Sequence, residues 1–137
     1  MPDADLALPE MRAWGEALGA GLSPPAIVTL EGELGSGKTT LVQAICRGYG
    51  VREGVTSPSF ALVHEYQAPR STVLHLDLFR LDGPHQLVNI GWEDMLAAPA
   101  LVLIEWPERA GAERPEAAKA IRLAHVPDAP DRRRLSW

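Results

Sequence analysis

Residues 32–39 read Gly-Glu-Leu-Gly-Ser-Gly-Lys-Thr and fill the pattern G-x-x-x-x-G-K-[ST] at every position. The pattern constrains the fold tightly, because it needs a strand before it and a helix after it. Both flanks are present. Ile27, Val28, Thr29 and Leu30 form a short apolar run suited to a buried strand, and Leu41, Val42 and Ile45 follow at helical spacing. Glycines let successive backbone N–H groups turn inward on phosphate oxygens, and the helix that starts there adds the positive end of its dipole. The cradle would run from Glu33, Leu34, Gly35, Ser36 and Gly37 through Lys38, Thr39 and Thr40. In such a loop the lysine ammonium reaches the β- and γ-phosphates and the following hydroxyl ligates Mg²⁺. A nucleoside triphosphate is the expected ligand.

Size and charge narrow the activity. A chain of 137 residues reads as one domain, 1–137, with room for a proper core. A small-molecule kinase, the main alternative, needs an acceptor pocket and usually an arginine-bearing lid to exclude water, and little chain is left for either. A guanine-reading switch is disfavoured, because no Asn-Lys-x-Asp stretch occurs. The formal net charge of -5 argues against a chain that grips nucleic acid by itself. The small basic run Arg132-Arg133-Arg134 reads as a solvated strand end. Cys46 has no partner cysteine and reads as a small buried hydrophobe, which fits a reducing compartment. No stretch reaches membrane-span length, and the first ten residues lack the blocks of a signal peptide, so a cytoplasmic location is expected. His64, His75, His85 and His125 show no metal-ligand spacing.

Taken in order, residues 6–20 carry Leu8, Met11, Trp14 and Leu18 at roughly helical spacing, with glycines ending the helix at Gly19 and Gly21. Trp14 reads as core packing. After the loop helix, Val55 to Phe60 clusters three hydroxyls around Pro58. Such a loop is either a plain turn or the supplier of a hydroxyl, from Thr56 or Ser57, to Mg²⁺ or the γ-phosphate. Phe60–Tyr66 and Thr72–Asp77 read as strands joined by too few residues for a parallel crossover, so an antiparallel hairpin is expected. The second strand ends on Asp77, where a carboxylate would hold Mg²⁺ directly or through water. Residues 84–98 look helical but broken near Gly91, and residues 100–104 form a continuous apolar run like a central parallel strand. That run ends on Glu105, placed to polarise an attacking water. Ligands of open α/β sheets gather outside the carboxyl ends of the strands, where Gly32, Asp77 and Glu105 would converge. Residues 115–119 read as helix-like, and residues 120–137 as a closing hairpin across a Pro/Asp turn.

Four motifs, GELGSGKTT, VTSPSF, HLDLFRL and LIEWPE, together resemble the TsaE family in the right order and span Gly32 to Glu108, about half the chain. The family often has threonine where Ser59 stands and tyrosine where Phe79 stands. The resemblance implies an α/β fold, a P-loop NTPase-like three-layer α/β/α with a mixed sheet, its parallel core extended by antiparallel hairpins. It implies ATP and Mg²⁺ as ligands, with Lys38 and Thr39 on phosphate and metal and Asp77 in the Walker-B role. It also implies that the Thr56–Phe60 loop is a switch, and that Glu105 and Trp106 belong to the active centre, Glu105 also near the metal. It further implies a Mg-dependent ATPase, slow alone, that serves a TsaB–TsaD-like complex placing threonylcarbamoyl on an adenosine of tRNA. Contact with tRNA would be only indirect. Hydrolysis would reset that complex between turnovers. Arg80, just beyond Asp77, is a candidate internal arginine finger, although a strand-end arginine is more often an ion-pair partner.

Overall fold

In a computed structural model that describes residues 2–55 and 62–137, the apolar run before the loop is a strand at the middle of the sheet. From the amino end the elements are β1 (Asp3–Ala7), α1 (Leu8–Gly21), β2 (Ala26–Glu31), α2 (Lys38–Tyr49), β3 (Val63–Gln67) and β4 (Thr72–Asp77). A 3₁₀ helix (Pro84–Ile90), α3 (Trp92–Ala97), β5 (Leu101–Glu105) and a second 3₁₀ helix (Pro107–Glu113) follow, then β6 (Lys119–Val126) and β7 (Ala129–Ser136). Among the described residues the strands form one sheet in the order β1-β7-β6-β2-β5-β4-β3. The neighbours β6, β2, β5 and β4 are parallel, while β3, β7 and β1 are added antiparallel. The mixed sheet expected from the sequence is therefore observed, with β6 an unforeseen member of its parallel core.

Alternation along the central strands sorts the core into two layers. Val28 and Leu30 of β2, Val73 of β4 and Leu101 and Leu103 of β5 pack against Met11, Leu41, Val42 and Ile45 of α1 and α2. Val102 and Ile104, pointing the other way, pack on Leu76, Leu87, Trp92 and Ala110. All five residues of β5 are buried, which is why it reads as an unbroken apolar run. Cys46 is buried in the first layer, and burial pushes its thiol up to about 12. Trp14 is half-buried against that layer with its ring 5.0 Å from Trp137.

Several expectations are corrected. Leu6, read as helical, lies in β1, whose residues pair with β7 from Asp3↔Ser136 to Ala7↔Arg132. Gly19 does not end α1. It sits inside the helix, where an added Cβ would overlap the Ile45 carbonyl, and Gly48 of α2 presses likewise on the Glu16 carbonyl. The break at Gly91 is present, with φ 73, but the residues before it are 3₁₀ rather than α. Residues 115–119 are not helical. The helical turns come earlier, at Pro107–Glu113, and Ala118 donates to the Ile27 carbonyl at 2.8 Å as the chain enters β6. Strand pairing outweighs the helix-favouring composition there. The hairpin expected at residues 63–77 and the closing hairpin β6–β7 are both present, the latter turning at Asp128 with φ 62. Residues 60 and 61 of the first expected strand lie outside the described residues.

The close crossing of α1 and α2 has a measurable consequence. Alanine in a helix is ordinarily favoured over glycine by about 1 kcal/mol. Gly48→Ala is expected to destabilise instead, by about 1–3 kcal/mol, because its Cβ meets backbone that cannot step aside. Gly21→Ala, with no atom within 4 Å of the new Cβ, should stabilise. Thermal unfolding of both variants checks the contrast, and stabilisation by both would contradict the crossing.

Candidate functional site

Strand parity builds the site. Asp77 pairs with Glu105 across the parallel β4–β5 register, and His75 pairs with Leu103. Period-two alternation then puts His75, Asp77 and Glu105 on the face shared with Leu103, the face covered by α2. The loop leaves β2, the other neighbour of β5, and reaches α2 through Gly37, whose φ of 103 suits glycine. Lys38 and Thr39 thus open α2 above the carboxyl ends of β4 and β5. A pocket of about 310 Å³ is lined by Lys38, Thr39, Asp77, Phe79, Glu105 and Trp106 together with loop residues. A recess of about 560 Å³ beside the first 3₁₀ helix and α3 is larger but lies away from the loop. Chemistry, not volume, selects the smaller pocket.

The Lys38 ammonium donates to the carbonyls of Gly32 at 2.5 Å and Glu33 at 2.9 Å and stands 4.3 Å from the centre of the Trp106 ring. Burial lowers its pKa from the ordinary lysine value, and the charges of Glu105, Asp77 and Glu108 oppose that shift. Glu105 is 2% exposed. Its Oε2 lies 2.6 Å from Nε2 of His75, and its Oε1 accepts a long 3.4 Å contact from the Thr39 hydroxyl. Asp77 Oδ1 accepts the Phe79 N–H at 3.0 Å, which shapes the turn leaving β4. One hydroxyl and two carboxylates in one pocket are hard oxygen donors of the kind Mg²⁺ takes. Among the described residues no group of three or more His, Cys, Asp or Glu could hold a metal alone. A cation there would take its further ligands from outside the protein, as water or phosphate oxygens.

Trp106, named only through the resemblance, sits in a strained backbone conformation. Its φ of 57 is left-handed, a conformation that costs a non-glycine residue on the order of 1 kcal/mol. Pro107 follows at once and starts the second 3₁₀ helix, while the Trp106 N–H donates to the Leu30 carbonyl at 3.2 Å. The strained turn swings the indole over Lys38 and against Phe79, ring centres 4.9 Å apart. One further residue, not named from the sequence, stands at the pocket rim. Arg109, three residues on, lays its guanidinium 5.5 Å from Phe79 and 5.8 Å from Trp106 at the pocket rim. Arg80, the arginine singled out from sequence, is exposed in the turn after β4.

Arg133 overturns the solvated reading of the basic run. Its Nε donates to the Ser36 carbonyl at 3.0 Å and Nη2 reaches the Gly35 carbonyl at 3.4 Å, so β7 braces the loop from outside. Its neighbours pair with β1 and α1, Arg134 bidentate to Asp5 and Arg132 near Glu10. Nothing local in the sequence marks Arg133, because the contact joins residues almost a hundred positions apart. Thr56 and Ser57 lie outside the described residues. Glu33, Leu34, Gly35, Ser36 and Thr40 stand in or beside the loop as expected, Leu34 at its exposed tip. Among the described residues no helix is long and apolar enough to cross a membrane.

Comparison with known proteins follows the same lines. Residues 7–135 match the family model described as "Threonylcarbamoyl adenosine biosynthesis protein TsaE". A relative from Nostoc sp. named "tRNA threonylcarbamoyladenosine biosynthesis protein TsaE" is 43% identical over 98 residues, 69% of this chain and 60% of its own. One of the same name from Treponema pallidum is 35% identical over 115 residues, 84% of each chain. The chain thus spans less than two thirds of the Nostoc protein. A solved structure, Bacillus subtilis YdiB, superposes with a TM-score of 0.79 over 98% of this chain and 83% of that one at 23% identity, a likeness of fold.

The bracing by Arg133 is testable without any ligand. Losing it removes hydrogen bonds of about 1 kcal/mol each, so Arg133→Ala should speed amide exchange at residues 35–38 by roughly tenfold. Exchange in β5 should stay as it is. Unaltered exchange at the loop would place Arg133 outside the cradle.

Proposed function

The chain belongs to the TsaE family, and from that premise we propose that it binds ATP with Mg²⁺ and hydrolyses it slowly, in support of tRNA threonylcarbamoyladenosine formation. The observation that carries the reading is the convergence of Lys38, Thr39, Asp77 and Glu105 on one pocket at the start of α2. Backbone N–H groups of the loop and the Lys38 ammonium would bind the β- and γ-phosphates, the ammonium exchanging its carbonyl partners for phosphate oxygens. Thr39 and Asp77, with Glu105 beside them, would hold Mg²⁺, which when bound neutralises charge on the phosphate oxygens. The Glu105 carboxylate would orient the water whose oxygen attacks the γ-phosphorus as the bond to the β-phosphate oxygen breaks, giving ADP and phosphate.

Slow turnover alone is the expectation because, among the described residues, no arginine lines the pocket to meet charge developing at the γ-phosphate. A finger arginine supplied by a partner adds about 10³–10⁵ in rate in related chemistry. Arg109 is better placed than Arg80 to act from within, since it lies on two rings of the pocket rim. A TsaB–TsaD-like complex is the proposed partner, reset by hydrolysis, with tRNA reached only through it and the whole set in the cytoplasm.

Lys38→Ala should abolish ATP binding in calorimetry, and retained affinity would remove the loop from the reading. Glu105→Gln should keep ATP binding and lose turnover; turnover at the normal rate would make the carboxylate structural. Phosphate release at saturating ATP, measured with and without TsaB–TsaD-like partners, tests the coupling. A chain that hydrolyses fast and ignores those partners refutes it.

A further inference from the structure

His75 is wholly buried in β4, yet its neighbours on that face, Val73 and Leu103, are apolar and an apolar side chain would pack there without polar atoms. What the imidazole adds is one short contact, Nε2 to Oε2 of Glu105 at 2.6 Å. Its other nitrogen, Nδ1, is buried with no hydrogen-bond partner among the described residues. A carboxylate oxygen accepts, so the contact puts the hydrogen on Nε2, and a hydrogen on Nδ1 would be a buried donor left unmade. Register explains how the two residues meet. His75 pairs with Leu103, and Glu105 is two residues further along β5, the diagonal same-face neighbour.

We infer that His75 is a positioning residue of the hydrolytic centre: its Nε2–H occupies Oε2 of Glu105, fixes the plane of the carboxylate and leaves Oε1 facing Thr39 and the pocket. Glu105 has two equivalent oxygens and a side chain able to rotate about its last bonds, so a carboxylate without that donor would not keep one oxygen aimed at the water. Partners of this kind, one bond behind the reacting group, typically change rates by roughly 10–100-fold when removed. The inference rests on the proposed role of Glu105. It adds that the aim of that carboxylate is set by a histidine that touches neither nucleotide nor metal.

The test compares His75→Leu, His75→Gln and His75→Asn in the full-length chain, with Glu105→Gln as reference, reading kcat and KM for phosphate release and ATP affinity by calorimetry. A glutamine amide nitrogen falls near the place of Nε2, whereas an asparagine amide nitrogen falls near Nδ1, so only the first restores the donor. The expected result is a kcat loss of roughly 10–100-fold in His75→Leu with KM and ATP affinity unchanged. His75→Gln should recover most of the rate and His75→Asn little. Should the leucine variant fail to fold, the glutamine–asparagine pair decides. Normal kcat in His75→Leu or His75→Asn while Glu105→Gln is inactive overturns the inference alone. Equal losses in Gln and Asn variants, with weakened ATP binding, also overturn it and make His75 structural. Normal turnover in Glu105→Gln overturns the parent reading first, and the positioning role with it.

Discussion

Parallel pairing of β5 with both β2 and β4 is the constraint on which the remaining architecture depends. It sets three carboxyl ends side by side, so the loop after Glu31, the acid Asp77 and the acid Glu105 meet at one edge of the sheet. A one-residue slip of either register would turn an acid to the opposite face, among Leu87 and Trp92. The pairing is secured by burial. Leu101 and Leu103 fill one layer and Val102 and Ile104 the other, and each such side chain contributes about 1.5–3 kcal/mol when removed from water. The chemistry of the site is thus held in place by side chains that never touch it.

Electrostatic balance at that edge is the second constraint. Lys38 is buried beneath Trp106 with its charge turned to two carbonyls, and burial works against that charge. Glu105, Asp77 and Glu108 counter it, and Glu105 in turn is met by His75 and Thr39. Two carboxylates, Asp77 and Glu105, line the pocket beside one lysine, an arrangement that would favour a divalent cation entering together with a polyphosphate over a bare anion. On the proposed function, metal and nucleotide would therefore enter as one ligand.

Legibility in the sequence followed the range of each cause. Strand, loop and helix at residues 27–49 were readable because their determinants lie within a few positions of one another. The hairpin at residues 63–77 was readable from the shortness of its connection, and β5 from its uninterrupted apolar run. β1 was not, because its five residues carry one large apolar side chain, Leu6, and run directly into the helix that starts at Leu8. Residues 115–119 misled for a similar reason: Glu116, Ala117 and Ala118 favour a helix, but the amide of Ala118 is taken by β2. Of the site, Lys38, Thr39, Asp77 and Glu105 were named from sequence, while His75, Arg109 and Arg133 were not given their contacts. Each of those contacts depends on register or on packing between distant segments.

The unforeseen contacts share one physical character, which bears on how the site can respond to a partner. Arg133 grips the outside of the loop from β7, and Arg109 caps the Phe79–Trp106 pair from the second 3₁₀ helix. Both act on groups that touch Lys38 or its loop, and both come from elements at the surface. The left-handed turn at Trp106 carries strain where buried β5 passes into the 3₁₀ helix that bears Arg109, a helix anchored by buried Pro107 and Ala110 with its other residues facing solvent. A force applied to that helix would therefore reach the indole over Lys38 before it reached Glu105, because β5 is buried along its whole length and His75 meets Glu105 from within the sheet. On the proposed function, a partner pressing on that helix would alter how a triphosphate is admitted and released, while the aim of Glu105 stays set by the core.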